Sequence, residues 1–340
     1  MSEEERNRAA DVVYSEPHHL CIVRRRRGAG FSYLREGRVV KDPGLLRRIR
    51  ALAVPPAWVE VKICVLEEGH LQAVGVDGRG RRQYLYHPRF RELQEQTKFE
   101  HLATFAEGLP AIRRRIERDL RRPGLTRSKV LAAVVRLLDL TGMRVGNREY
   151  ARLNGSYGLT TLRDRHVDVS RQDIRFAFKG KSGRLWRLTL RDRRLASVVR
   201  ACQDVPGQHL FQYLDAAGER QAVSSTDVNA YLREVSGRDL SAKEFRTWSG
   251  TVLAARLLGE GPAAPGERER RAQVAAAVRQ AAAVLGNTPA VCRRSYVHPR
   301  VLALHETGEL QARLGDRRRR ARLEGLDEAE RAVLAMLRDG

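Results

Sequence analysis

Apolar residues change their spacing once along this chain, and that change limits the folds open to it. From about His19 to Tyr86 they alternate with polar residues in short runs: HLCIVR, GFSYL, WVEVKICVL, HLQAVGV and RRQYLY. A period of two turns one face of a strand inward. Glycine-bearing turns such as EEGH and VDGRG separate the runs. A single helix around PGLLRRIRALAV interrupts them and stops before Pro55-Pro56. Beyond Pro88 the spacing becomes helical, in FEHLATFAEGLPAIRRRIERDL, SKVLAAVVRLLDLTGM, LRDRRLASVVRACQ, TDVNAYLREVSG, SAKEFRTWSGTVLAARLLG and RAQVAAAVRQAAAVLG. DIRFAFKG and RLWRLTL return to strand spacing, and Ser182 and Gly183 between them predict a hairpin. The expected fold class is α+β, with a small β-rich domain over residues 1–90. A larger, mainly α-helical domain with an inserted β-hairpin follows over 91–340. A length of 340 residues suits two such domains.

Charge narrows the partners. The 64 Lys and Arg outnumber the 41 Asp and Glu, leaving a formal net charge of +23. With 42% hydrophobic residues the chain has material for real cores, so it is no disordered cationic tail. A folded, strongly basic protein has a polyanion as its default partner, and nucleic acid is the commonest. No apolar run approaches the roughly 20 residues of a spanning helix, so a membrane is not expected. The first residues, MSEEERNRAADVVYSEP, lack the layout of a signal peptide. Cys21, Cys64, Cys202 and Cys292 are scattered and read as reduced thiols of a cytoplasmic protein. No P-loop or HExxH occurs, so neither ATP, a metal nor any other cofactor is expected. Two arginine runs stand out. Arg24 to Arg27 end a strand, as a solvated edge or a phosphate contact, and Arg317 to Arg320 read as a solvated helical face.

The stretch GNTPAVCRRSYVHP, from Gly286 to Pro299, sets the phenol of Tyr296 among cations. A phenol ionises near pKa ~10 and is a poor nucleophile unaided. Guanidinium groups would favour its phenolate and would hold a phosphodiester by its nonbridging oxygens. Phosphoryl transfer also needs an acid for the leaving alkoxide. Tyr296 is the candidate nucleophile. Asn287 stands nine positions earlier, before a Thr288-Pro289 helix start. Arg246 follows the capping box Ser241-x-x-Glu244 and falls in the second turn of its helix. Arg144, in TGMRVGN, lies between Gly142 and Gly146, which would let a phosphate approach the backbone. Lys181 sits at the hairpin tip, and a lysine, unlike an arginine, can give up its proton.

MRVGN, FKGKSG, KEFRTWSG and GNTPAVCRRSYVHP, in this order, resemble the motifs of type IB DNA topoisomerases of the small poxviral and bacterial kind. RRRRGAGFSYLREGRVV and GRRQYLYHP are also similar to that family, so the resemblance spans nearly the whole chain. It implies that Arg144 and Arg246 clamp the scissile phosphate and that Lys181 protonates the leaving 5′-oxygen. Tyr296 would take the 3′ phosphate, the cut strand would swivel, and reversal would reseal it, relaxing supercoils without ATP or metal. The two domains would close as a clamp around duplex DNA, the protein acting as a nucleoid-associated monomer. Gln83, Tyr84 and Tyr86, with their neighbours Arg81 and Arg82, match positions that touch DNA; a packed strand face is the other reading. Lys243, one turn before Arg246, matches a position assisting at the active site or on a flanking phosphate. Most of the family has histidine where this chain has Asn287. An uncharged amide there would give a phosphate a weaker hydrogen bond.

Two other functions compete. A tyrosine recombinase shares the chemistry, but such enzymes typically have His-x-x-Arg where this chain has Lys243-Glu-Phe-Arg246, and a helical N-terminal domain. An architectural DNA-binding protein would explain the charge but has no use for Tyr296.

Overall fold

The computed structural model describes residues 11–338, except 79 and 316–323, and omits the side chains of 95–98. The run Arg317 to Arg320 lies outside the described residues. The chain divides into two compact units, Met1–Lys98 and Phe99–Gly340.

The first unit is built on one antiparallel sheet. Its strands are β1 (Ile22–Arg27), β2 (Gly30–Arg35), β3 (Arg38–Val39), β4 (Val59–Ile63), β5 (Leu71–Val76) and β6 (Arg82–Tyr86), in the order β3-β2-β1-β4-β5-β6. Helix α1 (Pro43–Ala51) starts at Asp42, whose carboxylate accepts from Leu45 N at 2.5 Å, with proline at the first helical position. Ile22, Ile49, Val61, Ile63 and Ala73 form the core between helix and sheet. Arg24, the first of the arginine run, is neither solvated nor free for phosphate. It is 9% exposed, lies over the Phe31 ring, and donates to the carbonyls of Val54, Pro55 and Trp58 at 3.0, 3.0 and 2.6 Å. Its guanidinium fixes the turn after α1; Arg25, Arg26 and Arg27 are exposed.

The long helix α2 (Pro88–Leu120) begins in the first unit and runs into the second. There follow α3 (Arg127–Thr141), α4 (Arg148–Asn154), β7 (Val167–Ser170), β8 (Asp173–Lys179), β9 (Leu185–Arg191), α5 (Arg193–Gln203), β10 (Gln212–Leu214), β11 (Arg220–Ala222), α6 (Ser225–Ser236) and α7 (Ala242–Gly259). The chain then forms α8 (Glu267–Leu285), α9 (Pro289–Tyr296), α10 (Pro299–Thr307), α11 (Leu310–Gly315) and α12 (Glu328–Arg338). Helix α3 is central: Val130 to Val135, Leu137 and Leu138 are all buried, as befits a helix that is apolar all round. Leu102, Phe105, Leu109 and Ile112 of α2 join it, and Phe105 meets Phe245 of α7 edge to face at 4.9 Å. One buried polar cluster ties four helices. Arg113 of α2 donates to Asp139 of α3 at 2.9 Å and to Glu330 of α12 at 2.7 and 2.8 Å, and Trp248 of α7 donates to Glu330 at 3.1 Å. Such a cluster is stable because each charge keeps a partner.

The inserted hairpin is β8–β9, and β7 extends it to a three-stranded antiparallel sheet. A second pair, β10–β11, also lies among the helices. These three short strands were not expected from the sequence, since three or four residues cannot establish a period.

Candidate active site

Helix α3 ends at Gly142 in the left-handed conformation (φ 58°), and the chain turns through Arg144 into a loop. That loop is held against residues 158–161. Arg144 O accepts from Leu159 N at 2.9 Å, and Val145 O accepts from Thr160 N at 2.7 Å. A Cβ on Gly158 would lie 2.6 Å from Arg144 O, and one on Gly146 would lie 3.0 Å from the hydroxyls of Thr160 and Thr161. Gly146 therefore serves the packing of two backbone segments, and it also lines the cleft described below.

Helix α7 starts as the capping box predicts: Ser241 N and Oγ donate to Glu244 Oε2 at 2.8 and 2.7 Å. This places Arg246 in the second turn, where it is 3% exposed. Its Nη1 donates to Gly142 O and its Nη2 to Leu285 O at 2.8 Å, so it joins the C-terminal ends of α3 and α8. Helix α9 begins at Thr288, whose hydroxyl accepts from Val291 N at 3.3 Å, with Pro289 next; Tyr296 is its last residue. The Tyr296 carbonyl rests on Gly250 of α7, where any Cβ would collide with it. The Arg246 guanidinium lies over the Tyr296 ring, 4.8 Å from its centre.

At the hairpin tip Gly180 N donates to Arg184 O at 2.7 Å, and Ser182 and Gly183 take positive φ of 63° and 76°. Lys181, exposed on this turn, lines a cleft of about 500 Å³ together with Arg144, Lys243, Arg246 and Tyr296. Four of the five candidate residues thus share one cavity, and Lys243 joins them. Asn287 stands behind it: 7% exposed, it accepts from Arg144 Nη2 through Oδ1 at 2.6 Å, while its Nδ2 donates to Leu285 O at 3.4 Å. In the free chain the amide oxygen holds the clamp-candidate arginine.

Burial pushes the Tyr296 phenol up, but the charge and hydrogen bond of Arg246, then the charges of Arg144 and Lys181, outweigh it. The phenol ends below its ordinary value. Burial, then the like charge of Arg144, lowers the Arg246 guanidinium to about 10, so it stays charged at neutral pH. Burial and the neighbouring Arg300 lower His298 to about 4, leaving a neutral imidazole whose Nδ1 caps α10 by accepting from Arg300 N at 3.1 Å. His298 follows Tyr296 by two positions, and nothing local in the sequence signals this capping role. Sequence reasoning also passed over Gly250 and Thr251, which shape the floor under α9; Thr251 Oγ1 accepts from His298 N at 3.0 Å.

The remaining sequence candidates lie in the first unit. Tyr84 and Tyr86 stack on the same face of β6, ring centres 6.3 Å apart; Tyr84 is 48% exposed, whereas Tyr86 packs toward His70 and Phe90. Arg81 is bound to Asp77 at 2.6 Å, and Gln83 donates to the same carboxylate at 2.9 Å. Arg82 is exposed.

A phenol of lowered pKa beside two guanidinium groups can engage an anionic tetrahedral centre, and an ammonium across the cleft can donate a proton to a departing oxygen. Among the described residues no group of three or more His, Cys, Asp or Glu could hold a metal ion. No helix among them is long and apolar enough to cross a membrane.

Residues 87–314 match the catalytic core of eukaryotic DNA topoisomerase I, and residues 30–77 match the N-terminal domain of bacterial DNA topoisomerase IB. The fold and these matches define a DNA topoisomerase. DNA topoisomerase 1B of Acanthamoeba polyphaga mimivirus is 31% identical over 307 residues, 87% of this chain and 90% of the viral protein. DNA topoisomerase 1B of vaccinia virus (strain Copenhagen) is 21% identical over 237 residues, 68% of this chain and 71% of its own. The chain belongs to the type IB DNA topoisomerase family and is an enzyme of that class acting on DNA.

Proposed function

We propose that the protein relaxes supercoiled duplex DNA by cutting and rejoining one strand through a phosphotyrosine on Tyr296. The observation that carries this is the cleft shared by Tyr296, Arg144, Arg246 and Lys181, with the phenol acidified by its cationic neighbours. Tyr296 Oη forms a bond to the scissile phosphorus as the bond from phosphorus to the 5′-oxygen breaks. Arg144 and Arg246 hold the nonbridging oxygens as charge develops there. The Lys181 ammonium gives its proton to the 5′-oxygen, and the phenol proton leaves to solvent. The 3′-phosphotyrosyl ester keeps the energy of the broken bond, so reversal after swivelling needs neither ATP nor metal. Asn287 acts on Arg144, and Lys243 lies where a flanking phosphate would pass.

The domains of residues 1–90 and 91–340 form the two parts of a clamp on duplex DNA, with Arg81, Arg82, Gln83, Tyr84 and Tyr86 on its N-terminal part. The protein works as a monomer on the nucleoid in the cytoplasm. A denaturing gel tests the reaction: the wild type should yield a metal-independent adduct on a 3′ end, and Tyr296→Phe should yield none while binding DNA normally. Unchanged relaxation by Tyr296→Phe would remove the assignment.

A further inference from the structure

We propose that Arg184 and Trp186 form a latch that sets Lys181 over the cleft before DNA arrives. This rests on Lys181 being the proton donor. The turn bearing Lys181 spans only Gly180 to Arg184 between paired strands, with Lys179 opposite Leu185. Tyr157 N donates to Lys179 O at 2.8 Å at the base of the turn, and beyond it two side chains tie the turn to the rest of the catalytic domain. Arg184 Nη1 donates to the backbone carbonyl of Asn287 at 2.5 Å, across 103 positions of sequence. The Trp186 indole fills the space between Gly180 of the turn and Gly286 of the loop before α9. A Cβ on Gly180 would lie 2.8 Å from its Cδ1, and a Cβ on Gly286 2.8 Å from its Cζ2. Phe178 stacks on the indole, with centres 6.1 Å apart and planes 3° from parallel.

The surface that receives this contact is itself fixed. Gly286 caps α8 in the left-handed conformation, and Asn287 N donates to Ala282 O at 2.8 Å. Asn287 then holds Arg144 through its side chain. One residue therefore takes the hairpin on its main chain and the clamp arginine on its side chain, and the distance between Lys181 and Arg144 is set through it. A flexible lysine on a free turn would have to be ordered at every cleavage, whereas a latched turn has much of that ordering in place. Arg184 and Trp186 are positioning residues; neither need touch the reacting atoms.

The test is single-turnover cleavage by the full-length protein at saturating DNA, with two substrates that differ only in an oxygen or a sulfur at the 5′ leaving position. A thiolate leaves with little need of a proton, so it bypasses Lys181. Arg184→Ala removes the guanidinium from an exposed site, and Gly180→Ala presses a methyl on the indole from the other side at a φ (−90°) that alanine accepts. Both variants should cleave the oxygen substrate about 10- to 100-fold more slowly, the scale of a small misplacement of a catalytic group. Both should cleave the sulfur substrate near the wild-type rate, and Arg184→Lys should recover part of the loss. Equal losses on the two substrates would overturn the latch, because Arg184 would then act on phosphate or through Asn287; no loss on either would also overturn it. Lys181→Ala runs alongside. If sulfur restores Lys181→Ala but not Arg184→Ala, the latch alone falls; if it restores neither, the role of Lys181 falls and takes the latch with it.

Discussion

Replacing Asn287 by alanine removes a short hydrogen bond from Arg144 Nη2 to Oδ1 at 2.6 Å and a long one from Nδ2 to Leu285 O at 3.4 Å, of which the first carries the charge, and leaves the main-chain carbonyl that receives Arg184 in place. A hydrogen bond to a charged group contributes ~1.5–3 kcal/mol. Arg144 is half-buried, so water replaces part of the loss, and the lower part of that range applies, about 1.5–2 kcal/mol. At ~1.4 kcal/mol per factor of ten, single-turnover cleavage should fall about 10- to 30-fold. Affinity for duplex DNA should barely move, because binding draws on many phosphate contacts. The defect should persist on a 5′-sulfur substrate, since the Asn287 side chain bonds Arg144 and not Lys181, the proposed donor to the leaving group. Asn287→Asp keeps an acceptor for Arg144 but adds a negative charge beside the phosphate, and should cleave no faster than Asn287→Ala. Cleavage by Asn287→Ala at the wild-type rate, or its recovery with sulfur, would refute the assignment of Asn287 to Arg144.

Three further outcomes are expected. Because Arg246, Arg144 and Lys181 outweigh burial at the Tyr296 phenol, cleavage should rise with pH along a limb centred below ~10; Arg144→Gln removes one of those charges and should move the limb to higher pH, and an unmoved limb would deny the coupling. Gly158→Ala should destabilise by about 1–3 kcal/mol through its collision with Arg144 O, since its φ of −141° suits any residue. Thermal unfolding should fall by several degrees, and an unchanged midpoint would show that the two backbone segments do not approach so closely. Exposed Arg82, replaced by alanine, should lower the slope of log affinity against log salt by about 0.9, whereas Arg81→Ala should change it less because Asp77 already neutralises that charge; filter binding across a salt series reads both.

Much of this fold was legible because its longer elements repeat. Five of the six strands of the first unit alternate over five or six residues; β3, with two, carries no period. β7, β10 and β11, with four, three and three residues, are also too short to show one, and only their partners make them strands. Helix starts at Ser241 and Thr288 were readable since a cap is a local device, complete within four residues. Tyr296, Arg144, Arg246 and Lys181 could be named from their local strings, but nothing local shows that they meet. Asn287 could be named but not its orientation, which follows from where Arg144 and Leu285 end up. Arg184 and Trp186 gave no signal at all: an arginine and a tryptophan after a turn look like any others until the hairpin folds over Gly286. Arg24 misled for the same reason, since its three carbonyl partners lie 30 to 34 positions away.

The two carbonyls that receive Arg246 come from stretches of chain far apart in sequence, Gly142 and Leu285. Until both helix ends are side by side, this arginine has no fixed seat and the phenol has no cation above it. Strand-cutting ability therefore depends on the docking of both helix ends and is lost when the helices part. A chain still emerging from the ribosome, or one loosened by heat, would cling to DNA through its surplus positive charge without being able to nick it.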